Sequence, residues 1–511
     1  TGVDNEHPGL NQKWVAGYDA VCFVHSDSLC VLDGGRTEDG SFDPDDGNQH
    51  GTACMGMASS TGLDASGAQT EFYGAAPNAS LVDVRIGTDA GAGPFENYVL
   101  EQEFYESAMN GLQWIIDHKD DQWAGADETK HGIDIISLSW GITSHETGGD
   151  DGEGMHSRIL NEAMEAGIVV SVAAGNDGPD NDGLSGMGSG SLAITVGATD
   201  DLNSVDRSDD TVAGYSSRGP RRDNGDGNPL NELKPEISAP GSNIIQAEGC
   251  VTTGLCNNLI SDASQNGYTG RGSGTSYATP SVSGIIALML EANPDLSPAE
   301  VKEILKFTAE RRGEVTQPDV DPFWNRDFGW GMADAYEAVK LSQYINQSGL
   351  NGALDVYTQV HISNSTTNQT TGLHELTGET WGQMGSVSSV EYRINDGSWN
   401  SASFQMEDNV TALQRISWTI ALDITKIGKG NQTIEIRALN SEGNQSLPIL
   451  VQVEGTDSSS SSSMSWTVGQ YVASVSSLLV VCLIGLMFIA RTEVPHSLAL
   501  TYSDDGIDEV L

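Results

Sequence analysis

The sequence predicts a three-layer α/β domain on a parallel sheet, followed by an Ig-like β-sandwich and one transmembrane helix. Three observations carry this reading. Between residues 80 and 199, continuously apolar runs alternate with stretches of helical period. From about 352 the pattern becomes strand-like with turn residues, and the run 471–490 near the end contains no charge. A length of 511 residues is too great for one ordinary domain and suggests two or three units.

SLVDVRI (80–86), GIDIISLSW (132–140), GIVVSVAAG (167–175) and SLAITVGAT (191–199) read as buried strands. They are apolar throughout rather than alternating, as in a parallel sheet covered on both faces. Between them, 95–119 and 155–167 have helical period. This βαβ rhythm gives layers of helices on a sheet and places a site beyond the carboxyl ends of the strands. SVSGIIALMLEAN continues as a helix from a Gly/Ser-rich motif, with Pro280 expected in its first turn. DLSPAEVKEILKFTAE opens on a capping box: Ser297 is the N-cap, Pro298 the first helical residue and Glu300 the reciprocating carboxylate. A last helix is expected to end near Gln343, so the first domain is drawn as 1–343.

Residues 352–454 change character. VEYRINDGSWN reads as strand, Asn-Asp-Gly turn and strand, with Val390, Tyr392 and Ile394 on one face. ISWTIALDI and QTIEIRAL continue the pattern toward an Ig-like sandwich. Six Asn-x-Ser/Thr sequons cluster in and just before this stretch, at Asn346, Asn364, Asn368, Asn409, Asn431 and Asn444. A Ser-rich linker (455–468) leads to an apolar segment (469–490) long enough to span a bilayer as a helix. Trp466 and Tyr471 stand where an aromatic belt would. Arg491 follows with no nearby upstream cation, so the acidic tail (491–511) is expected in the cytoplasm and the large domain 1–343 outside the cell membrane.

Charge narrows the partners. With 72 acidic residues against 24 Lys plus Arg, the net charge is -48, which argues against nucleic acid because phosphate binding needs a positive footprint. The acidic loops SFDPDDGN before His50, DGPDNDG after Asn176 and RRDNGDGN at 221–228 could hold structural Ca2+, although none has EF-hand spacing. Of six cysteines, Cys22 with Cys30 and Cys250 with Cys256 lie close in sequence and in polar surroundings. Two local disulfides are the most natural of the possible pairings, with free thiols the alternative. Cys54 reads as a buried thiol, and Cys482 lies in the terminal apolar run.

Acyl transfer on a peptide needs a nucleophile, a base, an orienting acid and oxyanion donors. GSGTSYATPSVSG (272–284) sets Ser276 between a Gly-rich entry and a helix, where its own N–H and the helix dipole face a developing oxyanion. Most Ser residues at such positions are only N-caps. GNQHGTACMGMASS (47–60) puts His50 at the start of a small-residue helix, and AAGN (173–176) ends a buried strand on Asn176.

In order along residues 1–343, TGVDNEHPGL, HGTACMG, GAAPNASLVDVRI, IISLSWG, AAGN, ITVGA, YSSRGP, LKPEISAPG, GTSYATP and GWGMADAYEAV together resemble the subtilases, the subtilisin-like serine peptidases. The resemblance implies a serine endopeptidase acting on proteins or peptides, with Ser276 as nucleophile, His50 as acid/base and Asn176 as oxyanion donor. It implies that Ser139, Trp140 and Gly141, facing Ala173, Ala174 and Gly175, bind substrate, and that the chemistry needs no cofactor. Ala53 and Ser281 stand where the family usually has His, beside the triad rather than in it. The family's orienting Asp directly precedes a Thr-Gly like Thr1–Gly2, so the resemblance implies that this Asp and a preceding core strand lie before Thr1, with a signal and propeptide upstream. A natural start with a broken triad is the alternative. A rival reading is an inert surface binding or adhesion protein that works through its β-sandwich.

Overall fold

The computed structural model describes residues 1–21, 37–46, 48–87, 101–126, 131–141, 149–180, 184–249, 267–268, 270–383, 386–404 and 413–456. The described residues fall into two compact units, one within 1–366, 375–421 and 433–451, the other within 367–374, 422–432 and 452–456.

The four predicted strands are present as β2 (Leu81–Arg85), β3 (Ile135–Leu138), β4 (Val169–Ala173) and β5 (Ile194–Asp200). β1 (Trp14–Asp19) pairs in parallel with β2. β3, β4 and β5 run parallel to one another, β7 (Ile237–Pro240) adds to β5 in parallel, and β6 (Thr211–Val212) pairs with β5 antiparallel. β8 (Ile244–Gln246) and β9 (Gly270–Gly272) form a ribbon leading into the Ser276 helix.

Two apolar layers cover this sheet. On one face, α2 (Glu101–Asp117) and α3 (Met155–Glu165) bury Leu112, Ile115, Ile159 and Leu160 with Ile136, Val170 and Val172. On the other, α4 (Thr275–Ala292), α5 (Pro298–Thr308) and α6 (Ala335–Ser348) bury Val282, Ile286, Val301 and Ile304 with Val169, Ile194, Val196 and Ile237. Within β4, Val169 faces one layer while Val170 and Val172 are counted in the other, which is why the strand reads as apolar throughout.

One feature departs from a single continuous sheet. Among the described residues no ladder joins β2 to β3, and a cavity of about 620 Å³ lies between them. Val82, Val84, Ile136 and Leu138 line its sides. Leu112 and Ile115 of α2 close one face, and Ala287 and Leu290 of α4 the other, while Thr1, His50 and Cys54 stand on its wall.

Two sequence expectations are corrected. α4 begins at Thr275, so Pro280 is its sixth residue and lies beyond the first turn. The missing N–H of Pro280 is the one that would have bonded the Ser276 carbonyl, and that carbonyl is used otherwise. α6 does not stop near Gln343 but continues to Ser348, where Gly349 closes it in the left-handed region (φ 66°). The Ser297 capping box is present as expected.

The C-terminal region is β-rich, with two four-stranded sheets in the orders β10-β11-β15-β14 and β13-β12-β16-β17. Their strands are β10 (Thr358–Asn368), β11 (Leu373–Gly382), β12 (Val387–Ile394), β13 (Asn400–Ser401), β14 (Ser403–Phe404), β15 (Ile416–Asp423), β16 (Gly430–Asn440) and β17 (Ile449–Gly455). The expected β12–β13 hairpin turns through Asn395, whose φ is 49°. Leu447 joins the α5–α6 core, and Tyr344 of α6 donates to Glu435 at 2.5 Å. In the second unit, Ile424 N–H donates to Gly372 O and Thr456 N–H to Ile424 O.

No helix among the described residues is long and apolar enough to cross a membrane, and the run 471–490 lies outside them. Cys22, Cys30, Cys250, Cys256 and Cys482 also lie outside, while Cys54 is a buried free thiol as expected.

Candidate active site

Four segments meet at the carboxyl ends of β3 and β4, as α/β topology predicts. Ser276 is the second residue of α4, and its Oγ donates to the Ser139 carbonyl at 3.2 Å. Ser139 returns the contact, its Oγ donating at 2.7 Å to the Ser276 carbonyl. The Cys54 thiol donates to the same carbonyl at 3.3 Å. A helix carbonyl can take both bonds because Pro280, four residues on, has no N–H to offer it.

Asn176 lies just past β4. Its Oδ1 accepts from the N–H of Thr275 at 2.8 Å and from the Thr275 hydroxyl at 3.1 Å. The same hydroxyl accepts from Gly175 N–H at 3.2 Å. With Oδ1 committed to two donors, the amide orientation is fixed and Nδ2 is left facing out. A Cβ added at Gly274 would stand 3.4 Å from Asn176 Nδ2 and 3.6 Å from both Asn176 Oδ1 and Ser276 N, so the Asn176 amide and the Ser276 N–H border the same small space. Two N–H groups at a helix N-terminus can stabilise a developing oxyanion.

His50 is the first residue of α1 (His50–Ser59). Its ring nitrogens lie 3.8 and 3.9 Å from Cys54 Sγ, one turn on, and its ring centroid is 6.2 Å from that of Tyr277. Among the described residues, no hydrogen bond joins His50 to Ser276. The negative charge of Cys54 raises the His50 pKa despite burial, and Asp46 adds to the rise. Burial pushes the Cys54 thiol up, but the facing imidazolium outweighs it and holds the thiol below its ordinary value. Burial and the Cys54 charge push Tyr277 up to about 12.

The profile of the subtilase family (Peptidase_S8) matches residues 1–331 of this chain. The chain belongs to the subtilase family. Serine protease AprX of Bacillus subtilis is 37% identical over 305 residues, covering 58% of this chain and 59% of AprX. Bacillopeptidase F of the same organism is 28% identical over 347 residues, covering 66% of this chain and 20% of that protein. The solved structure of sphericase matches with a TM-score of 0.45 at 24% identity, covering 65% of this chain and 88% of that one. The chain thus spans about three-fifths of AprX and one-fifth of bacillopeptidase F.

Within this subtilase domain, the segments expected to bind substrate flank Ser276. Ser139 touches it directly, Trp140 packs partly into the α2–α3 layer, and a Cβ at Gly141 would fall 2.1 Å from Ser185 Oγ. Ala173 and Ala174 are buried, and Gly175 holds φ 110°, a conformation that favours glycine. Ser185 escaped the sequence reading because it sits in a Gly/Ser-rich stretch of unclear register. Its N–H donates to Ala174 O at 2.8 Å, so it stands between the two segments. Thr275 escaped because a Thr beside a nucleophilic Ser has no signal of its own.

Of the acidic loops, 41–48 contributes Asp45 to a cluster with Asp4 and Glu6, whose carboxylate oxygens lie within 4.8 Å of one another. Burial raises the Asp45 carboxyl, and it pushes neighbouring Asp43 up to about 6. In 221–228 the side chains of Asp223, Asn224, Asp226 and Asn228 accept from backbone N–H groups two residues ahead. The third loop lies partly outside the described residues.

Proposed function

We propose that this chain is the catalytic portion of a serine endopeptidase, with Ser276 as nucleophile, His50 as general base and Asn176 as oxyanion donor. The observation that carries the reading is that the Asn176 amide, held through its Oδ1 by Thr275, lies beside the N–H of a serine that opens a helix. Ser276 Oγ attacks the scissile carbonyl while His50 takes its proton, and the oxyanion forms against Nδ2 and the Ser276 N–H. His50 then gives the proton to the leaving amine. Water, deprotonated by His50 in turn, releases the acyl group and regenerates the serine. Ser139–Gly141 and Ala173–Gly175 are the segments on which we place the substrate backbone.

His50 needs an acid to orient its ring, and Cys54 is a weak partner for that task. The cavity between β2 and β3 suits one more parallel strand: among the described residues each of the two strands has no ladder on the edge toward it, and α2 and α4 cover it. Thr1 lies on its wall and accepts a bond from Gly51 N–H at 3.0 Å, next to His50. A strand in the cavity running into Thr1 would deliver the preceding side chain to His50, and we propose that this side chain is the triad Asp.

The reading extends to placement. The uncharged run 471–490, set off by a Ser-rich linker, is proposed as a membrane anchor that leaves the peptidase outside. The β-rich region is read as an Ig-like module, and structural Ca2+ is assigned to the Asp4–Glu6–Asp45 cluster, whose oxygens are hard ligands. The test is labelling of the protein by a fluorophosphonate. Labelling that Ser276→Ala abolishes is expected. Failure of the unaltered protein to label, or labelling that survives the substitution, would leave the surface-binding reading in its place.

A further inference from the structure

A buried carboxylate beside the base has no part in the mechanism so far. Asp46 stands four residues before His50 and is fully buried. Its Oδ1 accepts from the N–H groups of Asn48 and Gln49, both at 2.9 Å. Its Oδ2 accepts from the N–H of Thr52 at 2.9 Å and from the Thr52 hydroxyl at 2.7 Å. That hydroxyl in turn accepts from Asp4 N–H at 3.0 Å, and Gly51 N–H donates to Thr1 Oγ1 at 3.0 Å.

These bonds replace an ordinary helix cap. Gln49, which precedes α1, is left-handed (φ 93°) and caps nothing with its side chain. The exposed N–H groups of the first turn must be satisfied, and an anionic acceptor there also suits the helix dipole. A cap on one oxygen would do that much. Here both oxygens are engaged, one on the approach to His50 and one on the turn that carries it. Thr52 passes the tie on to the Thr1–Asp4 segment at the cavity wall.

We propose that Asp46 is a positioning residue for His50, clamping the first turn of α1 to the Thr1–Asp4 segment so that the imidazole is aimed at Ser276. This rests on the peptidase reading above. Among the described residues, the groups that act on the imidazole are Cys54 on α1, Tyr277 on α4 and Asp46 itself. Asp46 favours the imidazolium, so replacing it with a neutral group lowers the His50 pKa.

The experiment compares kcat, KM and the pH profile of kcat/KM for the full protein and its variants. Asp46→Asn keeps the shape but turns an N–H donor toward Thr52 N–H and removes the charge. We expect kcat to fall about 10- to 100-fold, as for a small misplacement of a reacting group. KM should stay within about twofold, since the ground-state contacts are untouched. The acid limb should move to lower pH. Thr52→Val opens the other end of the clamp but keeps the charge, so kcat falls with the acid limb in place, and Thr52→Ser restores most of the loss. A kcat for Asp46→Asn within about twofold of the unaltered protein, or a lowered Tm with kcat and acid limb unmoved, overturns the proposal. Should Asp46→Asn not fold, an unchanged kcat in Thr52→Val does the same. Failure of the unaltered protein to label with a fluorophosphonate overturns the peptidase reading instead, which keeps the two outcomes apart.

Discussion

The two sides of the candidate active site are held by different means. Around Ser276 the polar atoms are fixed by a closed set of bonds. Ser139 and Ser276 exchange hydrogen bonds, Thr275 claims Asn176 Oδ1 twice, and Gly175 closes on Thr275. All of these residues sit on β3, β4 and α4 or the turns that leave them, inside one unbroken parallel block. On the other side, the His50 ring nitrogens lie 3.8 and 3.9 Å from the Cys54 thiol among the described residues, and α1 borders the cavity between β2 and β3. On the proposed reading, the oxyanion donors are held by residues close to one another in the sheet order, whereas the proposed base sits on a helix that borders the cavity between two sheet blocks.

The largest test of this contrast is made on the fixed side. Asn176→Ala removes one of the two proposed donors without touching the fold of β4. In subtilisin, a relative within the family, loss of the corresponding kind of donor costs about 10²–10³ in kcat. The same loss is expected here, with KM little changed and measured by steady-state kinetics. A kcat close to that of the unaltered protein would mean that Asn176 is no oxyanion donor and that its fixed geometry is merely structural.

A smaller effect sharpens the same point. Thr275→Val deletes one of two bonds to Asn176 Oδ1 and the acceptor for Gly175 N–H, but leaves the backbone N–H bond at 2.8 Å. One neutral hydrogen bond is worth about 0.5–1.5 kcal/mol, so a loss of roughly 2- to 13-fold in kcat is expected. Additive losses in the Asn176→Ala, Thr275→Val double variant would show that Thr275 acts independently of Asn176. We expect instead that Thr275→Val adds little once the amide is gone.

Much of this was legible in the sequence. The four buried strands showed because a parallel sheet between two helical layers demands apolar residues on both strand faces, as Val169 and Val170 illustrate. His50, Asn176 and Ser276 were named because the ordered motifs around them resemble those of the subtilases; their local patterns alone left a loop histidine, a turn residue and a helix cap as alternatives. What stayed hidden depends on partners distant in sequence. The bonds that Ser139 and Cys54 make to the Ser276 carbonyl follow from Pro280 lying beyond the first turn, which requires knowing that α4 starts at Thr275. The cavity between β2 and β3 is invisible to any local pattern, since each flanking strand is regular on its own. The clamp of Asp46 on Thr52 and, through it, on Asp4 joins residues 48 apart that carry no motif together.

The smallest effect concerns the His50 side and is read as a shift along the pH axis. The His50 pKa is raised chiefly by the charge of Cys54, with burial pulling the other way. Catalysis needs the neutral imidazole, so kcat/KM rises with pH through the His50 pKa, and a raised pKa places that rise above the ordinary value of about 6.5. Cys54→Ala removes the main raising influence and leaves burial as the larger one, which disfavours the imidazolium. In the chain of residues 1–511 the acid limb therefore moves to lower pH. The only bond lost to the nucleophile's helix is a weak thiol contact with the Ser276 carbonyl, which Ser139 still occupies at 2.7 Å, so the plateau rate should change by less than about threefold. Cys54→Ser, whose hydroxyl does not ionise in this range, should move the limb in the same direction. An acid limb that stays in place in both variants would mean that another group already orients the His50 ring and has displaced the thiol from it. That outcome would be the one expected once a carboxylate occupies the cavity beside β2. The comparison of Cys54→Ala with and without such a strand would then measure how far the base side depends on it.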